Sequence, residues 1–444
     1  MREMKDSKIE WVGEIPENWE VTKTKYQFQY KKEIAGVRCN QYERLALTMK
    51  NVVKRSKEDN TGLQPEKFET YQILRKDELV FKLIDLQNVS TSRVGRSPFE
   101  GLVSPAYIIL RQNGKVLPCY AEKYFYILWK NQVFNALGDD GVRSNLGKDD
   151  LLNIPLPIPP LSEQKEISEY LDEKCGEIDA LLADIKDEIE TLEQYKRSVI
   201  TESVTKGLNP SAPMKNSGIE WLGDQPIHWE HFKGKYIFKQ RNERGNQVKL
   251  QLLSPTQNYG VIPQTLYEEL SGMSAVKLNE NINLSILKTI HKGDFCISLR
   301  SFQGGFEYSQ YEGVVSPAYQ VFYPTKKIFD GYYKYLFKEK SFIAVMNSYT
   351  LSLRDGKNIA FSDFGNTLIP YPPLSEQQEI AEYLDKKCAE IDAVISDKQT
   401  GIQTLESYKK SLIYEYVTGK NVRVQKGNYE KIYRIKAVKY QCIY

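Results

Sequence analysis

The segment LSEQKEISEYLDEKCGEIDA at residues 161–180 recurs as LSEQQEIAEYLDKKCAEIDA at residues 374–393. From Ser162 to Ala180, 15 of 19 positions are identical in the second copy. Each copy opens a stretch whose apolar residues are spaced by four and three, which predicts a helix with one apolar stripe. The stretch from Ser162 to Lys206 has 45 residues, so such a helix would be about 67 Å long at roughly 1.5 Å per residue.

The apolar stripe continues for about four heptads in each copy, which is typical of a coiled coil. Pro-rich segments precede both helices, and we predict Ser162 and Ser375 as the N-cap residues. Lys398 and Lys409 interrupt the second stripe. Because a long helix with one apolar stripe needs a partner, we predict that the two helices pair antiparallel. The stripe comprises Leu171, Cys175, Ile178, Leu182, Ile185, Ile189, Leu192 and Val199, then Leu384, Cys388, Ile391, Ile395, Ile402, Leu405 and Leu412.

Two further segments are repeated in the same order. IEWVGEIPENWE at residues 9–20 recurs as IEWLGDQPIHWE at residues 219–230, and EGLVSPAY at residues 100–107 recurs as EGVVSPAY at residues 312–319. The offsets of 210, 212 and 213 residues show that few insertions separate the copies. The chain is therefore a duplication in which a globular part and a long helix each occur twice.

Short β-rich runs alternate with helical stretches in both globular parts, which predicts an α+β fold. The β-rich runs are Glu78–Leu83, Ala106–Leu110, Asp294–Leu299 and Ala318–Tyr323, and the helical stretches are Ala121–Ala136 and Phe329–Ser348. We predict two similar globular domains joined by two long antiparallel coiled-coil helices in a pseudo-two-fold repeat. The predicted parts are domain 1–160, helix 161–206, linker 207–218, domain 219–373, helix 374–420 and a basic tail 421–444 of unknown role.

The net charge of +3 conceals an alternating distribution. Residues 21–153 hold 22 Lys and Arg against 15 Asp and Glu, and residues 230–367 hold 17 against 12. The helical segments are acidic, with 6 against 13 in residues 161–206 and 6 against 9 in residues 374–420. Two basic globular parts thus alternate with two acidic helices, which indicates two polyanion-binding units.

Composition also excludes several classes of protein. No apolar run approaches the roughly 20 residues of a membrane helix, and the N-terminal residues lack the apolar core of a signal peptide, so we expect a cytoplasmic protein without membrane contact. The six Cys form no CxxC pair, which argues against a zinc site and a disulfide framework. The three His, at positions 228, 231 and 291, are too few for a multi-His metal centre.

The repeated motifs resemble the specificity subunit of type I restriction-modification systems. The resemblance rests on the doubled WxGxxPxxW opening, the SPAY turn and the doubled helix start PPLSEQxEIxEYLDxKCxEIDA, and it covers about residues 7–422. It implies that each globular domain is a target recognition domain that reads one half of a split DNA sequence. It also implies that the helices set the spacer between the halves and dock the adenine-N6 methyltransferase subunits, and that the chain itself is not catalytic.

The resemblance implies double-stranded DNA, two methyltransferase subunits and restriction/translocase subunits as partners. S-adenosylmethionine, and ATP with Mg²⁺ for cleavage, are then expected on the partner subunits, and no cofactor or metal is expected on this chain. The domain interiors differ, since residues 85–97 have no counterpart that resembles them in residues 298–310. We therefore expect an asymmetric target.

Candidate DNA-binding residues flank the SPAY turns and the ends of the domains. Arg reads guanine and Asn or Gln reads adenine in the major groove, whereas Lys and Ser more often bind phosphates. For each residue the alternative is a solvated surface charge. The candidates are Lys82, Arg93, Arg96, Arg143, Ser144, Asn145 and Lys148 in the first domain and Arg300, Ser301, Gln303, Arg354 and Lys357 in the second.

Residues near the helix ends that match between the copies are candidates for binding partner subunits. They are Glu163, Gln164, Tyr195, Lys196, Glu376, Gln377, Tyr408 and Lys409. Trp11, Trp19, Trp221 and Trp229 could stack on bases, but their fixed spacing in both copies favours a role in packing. Cys175 and Cys388 lie on the heptad stripe, and we expect them to be buried.

Two other functions remain as alternatives. A single-chain restriction and methylation enzyme would need cofactor-binding and nuclease motifs, and the sequence contains none that we can identify. A coiled-coil adaptor that binds only protein would not need the basic globular domains. Salt-dependent DNA binding would distinguish the DNA-recognition hypothesis from the adaptor.

Overall fold

The computed structural model comprises two compact units. The first contains residues Met1–Lys186 and Gln399–Tyr444, and the second contains Asp187–Lys398. The boundary crosses both long helices, so each unit combines one globular domain with segments of both helices. The structure describes residues 2–49, 51–59, 67–87, 91–138, 145–245, 250–273, 284–297, 305–349 and 359–421.

Short strands and helices alternate in the first domain, as the sequence predicted. The strands are β1 (Met4–Asp6), β2 (Glu14–Pro16), β3 (Glu20–Lys23), β4 (Phe28–Tyr30), β5 (Arg44–Leu47), β6 (Val52–Arg55), β7 (Gln72–Leu74), β8 (Leu79–Phe81), β9 (Val94–Arg96), β10 (Gly101–Val103), β11 (Ile108–Gln112) and β12 (Pro155–Ile158). The helices are α1 (Pro118–Lys130), α2 (Val133–Leu137), α3 (Lys148–Asn153) and the long α4 (Leu161–Lys206), and 3₁₀ turns lie at Thr24–Tyr26, Gly36–Gln41 and Phe68–Thr70.

The second domain repeats the order of the strands. Its strands are β13 (Met214–Asn216), β14 (Asp224–Pro226), β15 (Glu230–Lys233), β16 (Phe238–Gln240), β17 (Leu253–Thr256), β18 (Gly260–Pro263), β19 (Lys288–Ile290), β20 (Phe295–Ile297), β21 (Phe306–Tyr308), β22 (Gly313–Val315), β23 (Gln320–Pro324) and β24 (Leu368–Tyr371). The helices are α5 (Gly234–Ile237), α6 (Gln264–Ser271), α7 (Asp330–Leu336), α8 (Lys340–Ser348), α9 (Phe361–Asn366) and the long α10 (Leu374–Val417), and a 3₁₀ turn lies at Leu284–Ile286.

The sheets confirm the internal repeat. The antiparallel sheet β4-β11-β8-β9 of the first unit recurs as β16-β23-β20-β21 in the second. A second sheet in the first unit has the order β6-β5-β10-β7, in which β5 and β10 are parallel at Leu102 and Arg44. In the second unit a parallel bridge between Leu252 and Val314 links the β17-β18 hairpin to the β19-β22 pair. The α+β class and the duplication are therefore both confirmed.

The two long-helix segments in the first unit run antiparallel. Lys409 Nζ lies 2.6 Å from Asp179 Oδ1, and the ring of Tyr170 stacks on that of Tyr416 with centroids 4.7 Å apart. Residue 170 thus contacts residue 416, and residue 179 contacts residue 409. Because the numbering of one helix rises while that of the other falls, the two segments are antiparallel. Apolar residues of the predicted stripe are buried in this unit, including Leu171, Cys175, Ile178, Leu182, Ile185, Leu405 and Leu412.

The helix segments in the second unit pair in the same way. Lys196 Nζ lies 2.6 Å from Asp392 Oδ2, and this pair is the repeat counterpart of Lys409 with Asp179. Lys398, which interrupts the apolar stripe, lies 2.6 Å from Glu188 Oε2 through its Nζ. Lysines at the helix–helix seam are therefore accommodated by carboxylates of the opposite helix.

A buried tryptophan joins the first domain to the start of the helix that follows it. The Trp19 indole Nε1 donates to Glu163 Oε2 at 3.0 Å, and the ring packs edge-to-face against Tyr120. The Tyr120 hydroxyl donates to the carbonyl oxygen of Val417 at 2.9 Å, at the end of α10. The first domain thus contacts the start of one long helix and the end of the other.

The second domain makes the equivalent contacts. Trp229 Nε1 donates to Glu376 Oε2 at 2.9 Å, and the Tyr332 hydroxyl donates to the carbonyl oxygen of Val204 at 2.7 Å. Trp19 and Trp229 are both buried. The prediction that these two tryptophans serve packing is confirmed.

Two predictions, on the starts of the long helices and on the linker, need correction. The long helices begin at Leu161 and Leu374, so Ser162 and Ser375 are second helical residues rather than N-caps. In each helix the fourth N–H donates to the carbonyl of the proline just before the helix, at 3.0 Å. The proline carbonyl therefore accepts the first hydrogen bond of the helix, as that of an N-cap residue does. The Gly, Pro and Ser content of the predicted linker 207–218 is typical of a loop, but β13 lies within it and pairs with β14.

Each predicted helical stretch within a domain is two helices. Gln132, between α1 and α2, has a φ of 61°, which breaks the first stretch. In the second stretch Glu339 accepts a hydrogen bond from the Phe342 N–H at 2.7 Å and caps the start of α8. Apolar spacing alone did not predict either break.

We expect Gly419→Ala to destabilise the first unit more than Gly13→Ala. Both glycines have a left-handed φ, of 71° and 73°, which costs an L-residue about 1 kcal/mol. A Cβ on Gly13 would meet nothing within 4 Å, whereas one on Gly419 would overlap the ring of Pro16 and lie 3.1 Å from Trp19 Cη2. Urea unfolding should show a loss of about 1 kcal/mol for Gly13→Ala and about 2–4 kcal/mol for Gly419→Ala. Equal losses would contradict the close packing at Gly419.

The second unit should become more stable as the pH falls from 7 to 4.5. Burial raises the pKa of Glu307 from 4.5 to about 7, although Lys338 Nζ lies 2.6 Å away and opposes the rise. Because the folded state then binds the proton more tightly than the unfolded state, this contribution is fully present below pH 4.5 and is lost as the pH rises through 7. Glu307→Gln should reduce the change of the urea unfolding midpoint with pH between pH 4.5 and 7. Glu230→Gln, at an exposed carboxylate, is the control and should leave the slope unchanged.

Candidate nucleic-acid interface

In the first unit, the connection between β8 and β9 lies beside the connection that leads into α3. The Leu146 N–H donates to the carbonyl oxygen of Leu83 at 3.0 Å, and Asn145 Oδ1 accepts from the Asp85 N–H at 3.0 Å. The structure therefore brings together the two segments in which sequence analysis placed DNA contacts, although about fifty residues separate them in the chain.

Arg93 is buried in this conformation, and its contact with DNA stays a prediction. Its Nη2 donates to the carbonyl oxygen of Asp85 at 2.6 Å. Burial lowers the pKa of Arg93, while the nearby Asp85 carboxylate opposes that change. Arg93 thus braces the β8–β9 connection, and a contact with DNA would require this connection to rearrange.

Lys82 and Arg96 are held by neighbours in the same domain. Lys82 Nζ donates to Thr91 Oγ1 at 3.0 Å, and burial, together with the positive charge of Arg93, lowers the pKa of Lys82. Arg96 Nη1 lies 2.7 Å from Asp77 Oδ1 and its Nε lies 3.5 Å from Glu122 Oε2. Partial burial opposes a rise in the pKa of Arg96, but these two carboxylates outweigh it. DNA contact by either residue stays a prediction.

Asn145 and Lys148 are exposed at the entry to α3. Lys148 is the first residue of the helix, and its Nζ lies 5.5 Å from the centroid of the Tyr30 ring. These positions are open to a large ligand. Arg143 and Ser144 lie outside the described residues.

All of the second domain's DNA-binding candidates lie outside the described residues. The structure does describe the residues on either side of the two segments that contain them. Gln320 pairs with Ile297, the last residue of β20, in the sheet. Its side-chain amide donates to the carbonyl oxygen of Ile359 at 3.0 Å and accepts from the Phe361 N–H at 2.7 Å. The two connections that contain the candidates thus leave from neighbouring positions, as in the first unit. The candidates are Arg300, Ser301, Gln303, Arg354 and Lys357.

The predicted partner-binding residues at the helix starts have contacts within their own units. Glu163 and Glu376 accept from the tryptophan indoles. Gln164 and Gln377 are buried, and each amide bridges the start of a domain helix to the proline segment. Their Oε1 atoms accept backbone N–H groups at 2.8 and 2.9 Å, and their Nε2 atoms donate to proline carbonyls at 2.9 and 2.8 Å. This burial leaves little of either glutamine for another subunit.

The remaining four candidates differ in accessibility. Lys196 and Lys409 form the ion pairs across the helix seam described above. Tyr195 and Tyr408 are 48% and 36% exposed, so their rings are accessible to a partner. Partner binding by these residues stays a prediction.

Sequence analysis missed an exposed group that both repeats share. Lys23, Lys25 and Tyr26 recur as Lys233, Lys235 and Tyr236, at the same offset of 210 residues as the tryptophan motif. All six side chains are exposed. Comparison of the copies residue by residue, beyond the longest matching runs, would have found this signal.

Two structural observations bear on other functions. Within the ranges that the structure describes, no group of three or more His, Cys, Asp or Glu side chains is arranged to hold a metal ion. Among the same residues, no helix combines the length and the apolar character that crossing a bilayer requires.

The chain is similar over most of its length to proteins of known class. It is 24% identical over 427 residues to the putative type I restriction enzyme MjaX specificity subunit of Methanocaldococcus jannaschii, covering 93% of this chain and 96% of that protein. It is 22% identical over 441 residues to the type I restriction enzyme EcoKI specificity subunit of Escherichia coli strain K12, covering 92% and 90%.

A solved structure shares the fold. That structure comes from work on complex assembly and conformational transition of the type I R-M system. The two folds superpose with a TM-score of 0.62 at 14% sequence identity, and the match covers 91% of this chain and 99% of that one. The sequence-family model of the type I restriction modification DNA specificity domain matches residues 1–191 and again residues 226–402. The chain therefore belongs to the family of type I restriction modification DNA specificity domains, of which it contains two copies.

Proposed function

We propose that the chain is the DNA sequence-specificity subunit of a type I restriction-modification complex, in which each globular domain reads one half of a bipartite target. The observation that carries this proposal is the double match of the DNA specificity domain, one copy on each globular domain. The protein-only adaptor is not favoured, because it gives no reason for two such domains.

The fold supports different readout on a common frame. Both domains share the sheet order, the buried tryptophan and the SPAY turn, in which the Tyr107 N–H donates to the Ser104 carbonyl and the Tyr319 N–H to that of Ser316, each at 3.1 Å. The connections after β8 and β20 differ in sequence and length. A shared frame with different reading segments would give an asymmetric target.

We further propose that catalysis belongs to partner subunits. In this proposal methyltransferase subunits supply S-adenosylmethionine chemistry at adenine N6, and restriction/translocase subunits use ATP and Mg²⁺. The long helices would set the spacer and dock the methyltransferase, with the exposed Tyr195 and Tyr408 and the acidic helix faces as the contact surface. Acidic faces suit this role because they repel DNA and leave its binding to the basic domains.

Methylation mapping tests the proposed function directly. The chain should be co-expressed with its methyltransferase subunit, and the DNA sequenced by a method that detects N6-methyladenine. We expect a split, asymmetric motif with a fixed spacer, which is absent when the methyltransferase is expressed alone. If a soluble complex forms and no such motif appears, the DNA-specificity function is wrong.

The two domains should be separable by mutation. Replacement of Arg300 and Gln303 by Ala should relax or change one half of the motif, because these side chains are candidates to read guanine and adenine. Replacement of Arg143 and Asn145 by Ala should affect the other half. Each double variant is the control for the other, and identical changes in both halves would contradict independent reading by the two domains.

A further inference from the structure

The first unit carries a small group of exposed polar side chains at the 3₁₀ turn Thr24–Tyr26. Lys25 Nζ donates to Asn153 Oδ1 at 3.3 Å and lies 5.5 Å from the centroid of the Tyr26 ring. Tyr26 is 64% exposed, and Lys23 and Asn153 are exposed beside it. We call these four residues the first Lys–Tyr–Asn patch.

The second unit carries the same group at the start of α5. Lys235 Nζ donates to Asn366 Oδ1 at 3.0 Å and lies 5.7 Å from the centroid of the Tyr236 ring. Tyr236 is 58% exposed, and Lys233 and Asn366 are exposed as well. These residues form the second Lys–Tyr–Asn patch.

The same backbone geometry holds both patches. In the first unit β3 pairs with β12, and the Thr24 N–H donates to the Ile154 carbonyl at 2.9 Å. In the second unit β15 pairs with β24, and the Gly234 N–H donates to the Thr367 carbonyl at 2.9 Å. The short helix α3 or α9, which ends at the patch asparagine, therefore lies against the lysine turn in each unit.

Packing does not explain why the patches match. The buried Thr24 is replaced by Gly234 in the second copy, so the copies differ at an inward position of the same turn. The outward Lys23, Lys25 and Tyr26 are nevertheless identical in the second copy. An exposed side chain contributes little to folding and tolerates change. The buried Phe28 also recurs, as Phe238, but packing accounts for that match. Packing does not require identity at the exposed positions, which therefore points to a ligand outside the chain that both units share.

Further positive charge lies close to each patch. The exposed Lys115 follows β11, where the backbone N–H groups of residues 113 and 114 donate to the carbonyl of Gln27, next to Tyr26. In the second unit the exposed Lys327 follows β23 in the equivalent turn, where residues 325 and 326 donate to the carbonyl of Ile237. Each patch thus has lysines from two neighbouring elements.

The chemistry of the patches suits phosphate oxygens. Lysine ammonium, tyrosine hydroxyl and asparagine amide groups all donate hydrogen bonds and commonly contact the DNA backbone. In the first unit α3 joins the patch at Asn153 to the candidate DNA-binding residue Lys148, only five residues away. Identical groups cannot distinguish two different half-sites, but they can bind what both half-sites have in common, which is the phosphate backbone.

We propose that the two Lys–Tyr–Asn patches bind DNA phosphates and hold each domain on its half-site without contributing to the choice of bases. This inference rests on the proposed function for the identity of the ligand, and it adds the residues that provide sequence-independent affinity.

The test is a salt titration of DNA binding by the full chain with Lys25→Gln and Lys235→Gln combined. Binding should be measured by fluorescence anisotropy to a duplex that carries the mapped target and to one of shuffled sequence. We expect both affinities to fall by a similar factor, about fivefold per lysine at roughly 0.15 M salt, and the slope of log K against log salt to lose about 0.9 per contact.

A charge-matched control separates a local contact from the overall charge. Lys8→Gln combined with Lys165→Gln also removes two exposed cations, whose side chains are 82% and 71% exposed and lie outside the patches. This control should leave both affinities and the salt slope nearly unchanged. A loss equal to that of the patch variant would overturn the proposal, because overall charge would then explain the effect.

Other outcomes would also overturn it. A patch variant that binds both duplexes like the wild type would exclude phosphate contact, and one that loses affinity only for the target duplex would indicate base reading. Weaker co-purification of the methyltransferase with unchanged DNA binding would identify the patches as a protein-docking surface. If the wild type does not prefer the mapped target, the proposed function fails, while the shuffled duplex still decides whether the patches bind phosphate.

Discussion

The hydrogen bond from a buried tryptophan indole to the third residue of each long helix is the contact on which the rest of the structure depends. A carboxylate near a helix N-terminus is favoured by the helix dipole, and the indole donor satisfies it without exposing the aromatic ring. In the first unit Trp19 also packs against Tyr120, whose hydroxyl binds the end of α10. One aromatic pair thus connects a domain to the beginning of one long helix and the end of the other.

The same arrangement explains why the boundaries of the two structural units differ from those of the two sequence repeats. Each unit takes the first half of one long helix and the second half of the other, and the antiparallel seam places matching residues opposite each other. Asp179 with Lys409 and Asp392 with Lys196 are counterparts under the repeat. Exposed ion pairs of this kind contribute roughly 0–1 kcal/mol each, so the buried apolar stripe stabilises the seam and the ion pairs help to fix its register.

The division between frame and loops also determines where function can vary. The strands, the tryptophans and the SPAY turns form a common frame, and the connections after β8 and β20 differ between the domains. In the first unit Asn145 and Arg93 brace such a connection through Asp85, so residues typical of base recognition also hold the loop in shape. Residue type and position in a loop therefore did not separate a contact with DNA from a contact within the domain.

The sequence by itself determined the duplication, the α+β class, the two long helices and the packing role of Trp19 and Trp229. Repeat spacing and apolar periodicity reflect local rules that each copy obeys on its own. Only the tertiary structure decided that Arg93 is buried and that Lys25 lies beside Asn153. It also decided that the side-chain amides of Gln164 and Gln377 form hydrogen bonds within their own units. These facts depend on which side chains from distant parts of the chain become neighbours, and a pattern along one chain does not specify that.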